Sequence, residues 1–163
     1  MDVKPTVYIE TTIPSFLTAW PSDNLITAGK QAVTRQWWER RKEKYELYIS
    51  QFVLDEAGRG DENAAQRRIE ALESIDLLEV DDEVISLAEK IVDTGLIPPK
   101  AHTDAAHIAI ASRHGIDFLL TWNCTHIANA EIMSSINYVV SEGGFYLPTI
   151  CTPDELFGGE ENE

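Results

Sequence analysis

Short apolar runs along the chain alternate with longer segments in which apolar residues recur at helical spacing. The runs are rich in Val, Ile, Leu and aromatic residues, a composition that favours strands. They predict strands or short extended segments over residues 7–9, 46–54, 76–80, 116–122, 137–140 and 148–151. Strands that alternate with helices are typical of a parallel sheet covered on both faces.

The segments between the runs predict helices, and several carry end signals. The predicted helices span residues 23–45, 62–75, 81–95, 102–115, 126–136 and 152–157. We expect Asp23 and Thr103 to be N-caps, and Gly95 to follow the end of its helix. The first helix has an apolar stripe that consists of Leu25, Ala28, Ala32 and Val33, continued by Trp37 and Trp38.

These elements predict a single-domain, three-layer α/β fold with a central, mostly parallel sheet and helices on both faces. We expect the domain to cover residues 1–157 and an acidic, disordered tail to cover 158–163. The chain has 163 residues, 44% of them hydrophobic and 25% charged, as in ordinary globular proteins. No internal repeat or interdomain linker interrupts the pattern.

The composition excludes several classes of protein. No apolar run approaches the ~20 residues that cross a bilayer, and the N-terminus lacks the features of a signal peptide. Cys124 and Cys151 lie far apart in the sequence, which argues against a disulfide framework. We therefore expect a cytoplasmic protein. Its net charge of −15 argues against nonspecific coating of nucleic acid and leaves room for bound cations.

Four polar residues fall at the ends of predicted strands or at the start of a helix. Glu10 ends the first strand, Glu56 follows the second, Asp104 opens a helix, and Asn123 follows the strand "FLLTW". Ligands of parallel sheets bind beyond the carboxyl ends of the strands, so these residues could share one crevice. Carboxylate and amide oxygens suit Mg²⁺ or Mn²⁺.

Each residue also has a simpler explanation. Asp104 is favourable at a helix N-terminus because of the helix dipole, and Asn123 is a common turn former. Glu56 could be a solvated turn residue, with Asp55 as the inward-facing acid. Glu10 is hardest to explain in this way, since an ionised carboxylate at the end of a buried strand needs partners.

Three segments of the chain carry acids in a recognisable order. In "VYIETTIPS" the acid Glu10 ends a strand and the hydroxyl residue Thr12 follows two positions later. This segment resembles the first strand of PIN-domain nucleases, and among these the toxins of the VapC type. "ISQFVLDE" resembles the second acidic segment and places the acid at Glu56. "KAHTDAAHIAIASRHGIDFLLTWNCTHIAN" resembles the third and fourth segments, with Asp104, Thr121 and Asn123 at the matching positions.

This resemblance implies a Mg²⁺- or Mn²⁺-dependent endoribonuclease, the toxin of a type II toxin–antitoxin system. It implies an RNA substrate, a cognate antitoxin protein and a homodimer. The metal ligands would be Glu10, Glu56, Asp104 and Asn123, with Thr12 and Thr121 also in the catalytic site. Two positions depart from the family pattern, because Glu10 replaces an Asp and Asn123 replaces an acid.

The departures leave a second hypothesis open, in which the chain is a catalytically impaired PIN-fold module that binds protein or RNA. A third and weaker hypothesis is a phosphoryl hydrolase that acts on small substrates. A zinc site of Cys124 with two of His102, His107 and His126 is also conceivable, although its spacing matches no standard zinc module. His107 lies three residues after Asp104 and hence on nearly the same helix face, and we interpret it as a buffering residue that supports the site, or as a half-buried residue, rather than as a catalytic base.

Basic residues form two further groups, one at the end of the first long helix and one around residues 59–68. They could contact phosphates along an RNA path, or they could pair with neighbouring acids on the helix surface.

Overall fold

The structure of the protein is a computed structural model that describes residues 3–159. Its strands are β1 (Thr6–Ile9), β2 (Glu46–Ile49), β3 (Asp76–Leu77), β4 (Phe118–Leu120) and β5 (Thr149–Cys151). Its α-helices are α1 (Thr12–Thr18), α2 (Leu25–Arg40), α3 (Gln51–Ala57), α4 (Glu62–Leu72), α5 (Asp82–Asp93), α6 (His102–Arg113) and α7 (Ala130–Glu142). Short 3₁₀ helices cover Lys42–Lys44, Pro99–Ala101 and Pro153–Glu155.

The five strands form one sheet in the order β3-β2-β1-β4-β5, and every pairing is parallel. The seven helices of the described residues pack around this sheet. The predicted α/β class is therefore confirmed, and the sheet is parallel throughout rather than mostly parallel.

The strand order creates a crevice next to the central strand. The chain proceeds from β1 through β2 to β3 on one side, and β4 and β5 then lie on the other side of β1. In such sheets the connections leave neighbouring strands in opposite directions at the point where the order reverses, here between β1 and β4. Ile9 lies opposite Leu120, and the Glu10 amide donates to the Leu120 carbonyl at 3.1 Å. The residues that follow β1 and β4 therefore lie side by side at this crevice.

The hydrophobic core is centred on the middle strands of the sheet and on α6. Val7, Tyr8 and Ile9 are inaccessible to solvent, as are Leu119 and Leu120. All residues of α6 from 105 to 112 are buried. A helix buried on all sides is hydrophobic around its whole circumference, which explains its weak amphipathic pattern.

The predicted strand over 46–54 is wrong in its second half. The strand ends at Ile49, and residues after Ser50 form α3. A short apolar run such as "FVL" fits a buried strand or a buried helix equally well. The helical spacing of Val53 and Ala57, which are both buried, decides for the helix.

The predicted apolar stripe of α2 is wrong at its start, whereas Trp37 is buried and Val33 and Trp38 pack against the core. Asn24, rather than Asp23, is the N-cap, and its side chain accepts a hydrogen bond from the Thr27 amide. Leu25 is 89% exposed. The buried face of α2 consists of Gln31, Thr34 and Trp37. The two polar residues on this face are satisfied by hydrogen bonds to Trp20, Ser22, Lys30 and Trp122.

Two helix boundaries differ from the prediction. The residue before α6 is Ala101, so Thr103 lies within the helix instead of capping it. The α7 helix begins after Asn129, whose side chain accepts from the Glu131 amide, and it continues through the segment predicted to be extended over 137–140. Ile136 and Val140 share the buried face of that helix.

The other predicted elements are present with small shifts at their ends. Thr152 forms a capping box with Glu155, and Pro153 takes the first helical position. The domain boundary after residue 157 stays a prediction, and residues 160–163 of the predicted tail lie outside the described residues. Within the described chain, the helices are too short or too polar to traverse a bilayer.

Two glycines allow a test of the backbone assignment. Gly95 has φ of +78°, where an L residue is strained, so Gly95→Ala should lower the free energy of unfolding by about 1 kcal/mol. Gly29 lies in the exposed interior of α2 with open space around it, so Gly29→Ala should raise it by roughly 0.5–1 kcal/mol. Urea unfolding of both variants measures the two changes, and equal signs would contradict the assignment.

Candidate metal centre

Glu10 is a buried carboxylate at the end of the central strand. Only 3% of its surface is exposed. Its Oε1 atom accepts hydrogen bonds from the Thr12 amide at 3.1 Å, the Thr12 hydroxyl at 2.5 Å and the Thr121 hydroxyl at 2.6 Å. The donors come from the segment after β1 and from the residue after β4, so the strand order brings them together.

The two threonines also fix the backbone around this carboxylate. The Thr12 hydroxyl accepts from the Trp122 amide at 2.8 Å, and the Thr121 hydroxyl accepts from the Asn123 amide at 2.9 Å. Each hydroxyl therefore joins the carboxylate to the chain after β4. The predicted site residues Thr12 and Thr121 act here as positioning groups for Glu10.

Glu56 lies in the last turn of α3 and faces Glu10. Its Oε1 atom accepts from the Thr11 hydroxyl at 2.7 Å and from His107 Nε2 at 2.5 Å. The neighbouring Asp55 is exposed and bonds to Gln51 on the surface of the same helix. The turn of α3 therefore directs Glu56, and not Asp55, towards the crevice.

His107 lies between the two acids and the core. Its imidazole is fully buried. The Nδ1 atom lies 2.6 Å from the hydroxyl of Tyr8, which lies 2.7 Å from the hydroxyl of Ser50. This chain of buried polar groups connects β1, the start of α3 and α6, and it holds the imidazole in one orientation.

The potential ligand atoms of Glu10, Glu56 and His107 all lie within 4.8 Å of one another. In residues 3–159 these three side chains form the group of acids, histidines and cysteines that could hold a metal ion. Cys124 is exposed and lies outside this group, so the structure offers no support for the zinc site considered from the sequence.

Asp104 is not a member of this group, and it is linked to Asn123 through His126. Asp104 Oδ2 lies 2.9 Å from His126 Nδ1, and Asn123 Oδ1 accepts from the His126 amide at 3.1 Å. Asp104 is in the first turn of α6, three residues before His107 and hence on nearly the same face. The role of these residues as metal ligands stays a prediction.

The electrostatics differ between the two central acids. Burial raises the pKa of Glu10, against the lowering effects of the His107 charge and the threonine hydrogen bonds. Burial also acts to raise the pKa of Glu56, but hydrogen bonding and the charge of His107 outweigh it, together with Thr11 and Arg59. The net pKa of Glu56 is lowered. One acid is therefore costly to ionise, and its neighbour is stabilised as an anion.

The sequence did not reveal the central position of His107. A lone histidine in an apolar helix is most often a core residue, and its partners Tyr8 and Glu56 come from distant segments. The one feature of the sequence that pointed to a place for His107 in the site is its spacing of three residues from Asp104, which puts both side chains on nearly the same helical face.

Searches against protein-family models and against curated proteins found no match. The five-stranded parallel sheet is compatible with PIN-like folds.

The opposite pKa shifts predict opposite effects of two substitutions on the metal-free protein. Because the pKa of Glu10 is raised on folding, its ionisation destabilises the fold from about its ordinary pKa of 4.5 upwards. Glu10→Gln should then have a larger free energy of unfolding than wild type at pH 7. The gap between the two free energies should narrow as the pH falls towards 4.5. Urea unfolding in EDTA between pH 4.5 and 8 measures this gap.

Glu56→Gln is the matched comparison. The pKa of Glu56 is lower in the folded protein than in the unfolded chain. Its ionised carboxylate therefore stabilises the fold above the ordinary pKa of a glutamate, and this stabilisation is lost as the pH falls through the pKa of the folded state. This variant should be less stable than wild type at pH 7. A shared sign for the two variants at pH 7 would contradict the assigned electrostatics.

Proposed function

We propose that this protein is a Mg²⁺- or Mn²⁺-dependent endoribonuclease of the PIN-like, VapC type, the toxin of a toxin–antitoxin pair. One observation carries the proposal. In each of Glu10, Glu56 and Asp104, one carboxylate oxygen is held by protein donors, while the other has no hydrogen bond within the described residues. Side chains held in this way present oriented free oxygens to a cation.

The residues present fit a hard divalent cation. Carboxylate oxygens are the ligands that Mg²⁺ and Mn²⁺ prefer, and the site lies where ligands of parallel sheets bind. Such a cation, when bound, polarises a phosphate and lowers the pKa of a water molecule. Glu10 and Glu56 would hold it, and the Asp104 carboxylate and the amide oxygen of Asn123 are proposed as further ligands.

The protein residues around the acids orient and shield them. Thr12 and Thr121 fix Glu10, and His126 fixes Asp104. Because Glu10 is almost completely buried, bulk water reaches only a small part of it, which strengthens its interaction with a cation.

Cationic and aromatic groups near the acids support a nucleic-acid substrate. Arg59 follows the end of α3, where its amide donates to the Glu56 carbonyl at 3.2 Å, and its charge contributes to the lowered pKa of Glu56. Trp122 follows Thr121 directly and is partly exposed, with the Lys30 ammonium 5.4 Å from its ring. Cations contact phosphates and aromatic rings stack on unpaired bases. The choice of RNA rests on the resemblance of the sequence motifs.

An exposed apolar segment supports a protein partner. Trp20, Leu25 and Ile26 are 75%, 89% and 72% exposed, and they lie around the start of α2. Large exposed apolar side chains that lie together mark interaction surfaces more often than scattered ones do. The antitoxin and the homodimer are part of the proposal on this ground and by resemblance.

A second candidate function is a PIN-fold binding module without activity. The observation in its favour is that the Asn123 side-chain oxygen already accepts the His126 amide, so the fourth position supplies no charge and has one lone pair in use. Such a module would bind RNA or protein and leave RNA intact.

Neighbouring acids on α3 provide a matched test of the enzyme. Glu56→Gln removes a charged ligand and should lower cleavage of single-stranded RNA in Mn²⁺ by about 100-fold or more. Asp55→Asn alters an exposed acid one residue away and should leave cleavage unchanged. The measurement is the initial rate on a fluorescently labelled RNA, with EDTA as a further control.

Equal rates for wild type and Glu56→Gln, or cleavage that persists in EDTA, would contradict the proposed site. If wild type cleaves none of several RNAs in either metal, the binding module becomes the better account.

A further inference from the structure

His107 occupies a position in the site that a structural histidine would not need. One of its ring nitrogens lies within 4.8 Å of a carboxylate oxygen of both Glu10 and Glu56, and Nε2 lies 2.5 Å from Glu56 Oε1. The ring packs against Tyr8 at 5.6 Å and Phe52 at 6.4 Å between centroids, and it is fully buried. The core therefore aims one ring nitrogen at the two acids and prevents the ring from turning away.

We propose that His107 is itself a ligand of the metal, so that Glu10, Glu56 and His107 form a mixed nitrogen–oxygen site that favours Zn²⁺ and Mn²⁺ over Mg²⁺. The inference deepens the proposed function and rests on it only for the presence of a metal. It differs from the expectation drawn from the sequence, in which the ligands are all oxygen atoms and His107 does not bind the metal.

The partner of the second ring nitrogen fits this role. Histidines that bind metals usually donate their other ring N–H to a nearby acceptor, which fixes the tautomer and the ring orientation. His107 Nδ1 has the Tyr8 hydroxyl at 2.6 Å, and this hydroxyl has Ser50 at 2.7 Å.

Hydroxyl groups both donate and accept, so this chain of hydrogen bonds can run in either direction. When Nε2 donates to Glu56, the Tyr8 hydroxyl can donate to Nδ1. When Nε2 offers its lone pair to a metal, Nδ1 carries the hydrogen and donates to Tyr8, which donates to Ser50. On the Nδ1 side, Tyr8 and Ser50 therefore accommodate the ligating tautomer without a movement of their heavy atoms.

His107 Nε2 and Glu56 Oε1 lie 2.5 Å apart with a hydrogen between them. A metal ion bonded at about 2 Å to two such atoms needs them roughly 3 Å apart, so this hydrogen bond is broken when the cation binds. With the hydrogen on Nδ1, the Nε2 lone pair is available to the ion. Glu56 and Glu10 each have one carboxylate oxygen without a hydrogen bond within the described residues, and these two oxygens complete the ligand set.

The donor set determines the preference among metals. Imidazole nitrogen suits Zn²⁺ and other first-row transition metals, whereas Mg²⁺ is bound almost entirely through oxygen. Zn²⁺ also lies above Mn²⁺ in the general affinity order of such sites. We therefore expect affinities in the order Zn²⁺, Mn²⁺, Mg²⁺.

The first experiment compares two histidines of α6. Calorimetric titration of the metal-free protein with Zn²⁺ and with Mg²⁺ gives the ratio of the two affinities. His107→Gln should lower this ratio by about 10-fold or more, because the nitrogen ligand is lost. His102→Gln changes an exposed histidine on the same helix and should leave the ratio unchanged. An equal loss of both affinities in His107→Gln would overturn the inference, since a positioning residue has that effect.

A second measurement uses wild type and so does not depend on the folding of a variant. Pulsed electron paramagnetic resonance of the Mn²⁺-loaded protein detects a directly bound imidazole nitrogen by its coupling to the metal. We expect this nitrogen signal, and its absence with Mn²⁺ bound would overturn the inference. A nitrogen signal without RNA cleavage would instead contradict the ribonuclease and leave the metal site standing. Failure to bind any of the three metals would contradict both.

Discussion

The burial of one carboxylate at the end of the central strand constrains much of this structure. An acid with 3% of its surface exposed needs hydrogen-bond donors, and Glu10 obtains them from Thr12 and Thr121. Those donors can meet only if the ends of β1 and β4 are adjacent and in register, as they are at the point where the strand order reverses. The hydrogen bonds that Glu10 requires therefore form only in this strand order, and they in turn stabilise the contact between the ends of β1 and β4.

The second acid depends on a different layer of the fold. Glu56 is held by Thr11 and by His107, whose ring is held in turn by Tyr8 and the core. Helices α3 and α6 thus contribute to the site only through side chains that reach each other in the interior. Glu10 resists ionisation, whereas Glu56 favours it. In the absence of a cation, these two acids therefore repel each other less than two ionised carboxylates at the same distance would.

Much of this arrangement could be predicted from the sequence, for identifiable reasons. An acid directly after a buried strand predicted the place of Glu10, and alternating strands and helices predicted the parallel sheet. The helical conformation of α3 could not be predicted from "FVL", because three apolar residues are too few to distinguish the period of a helix from that of a strand. The buried polar face of α2 depends on partners such as Trp122, far along the chain. The contacts of His107 could not be predicted because its partners Tyr8 and Glu56 come from two other elements, β1 and α3.

Anomalous diffraction from crystals of the wild-type protein with Mn²⁺ tests the central claim, that these side chains form a metal site, most directly. The account predicts a strong anomalous peak about 2 Å from the free carboxylate oxygens of Glu10 and Glu56. A manganese peak elsewhere on the surface, with Glu56 still bonded to His107 as in the metal-free protein, would contradict it.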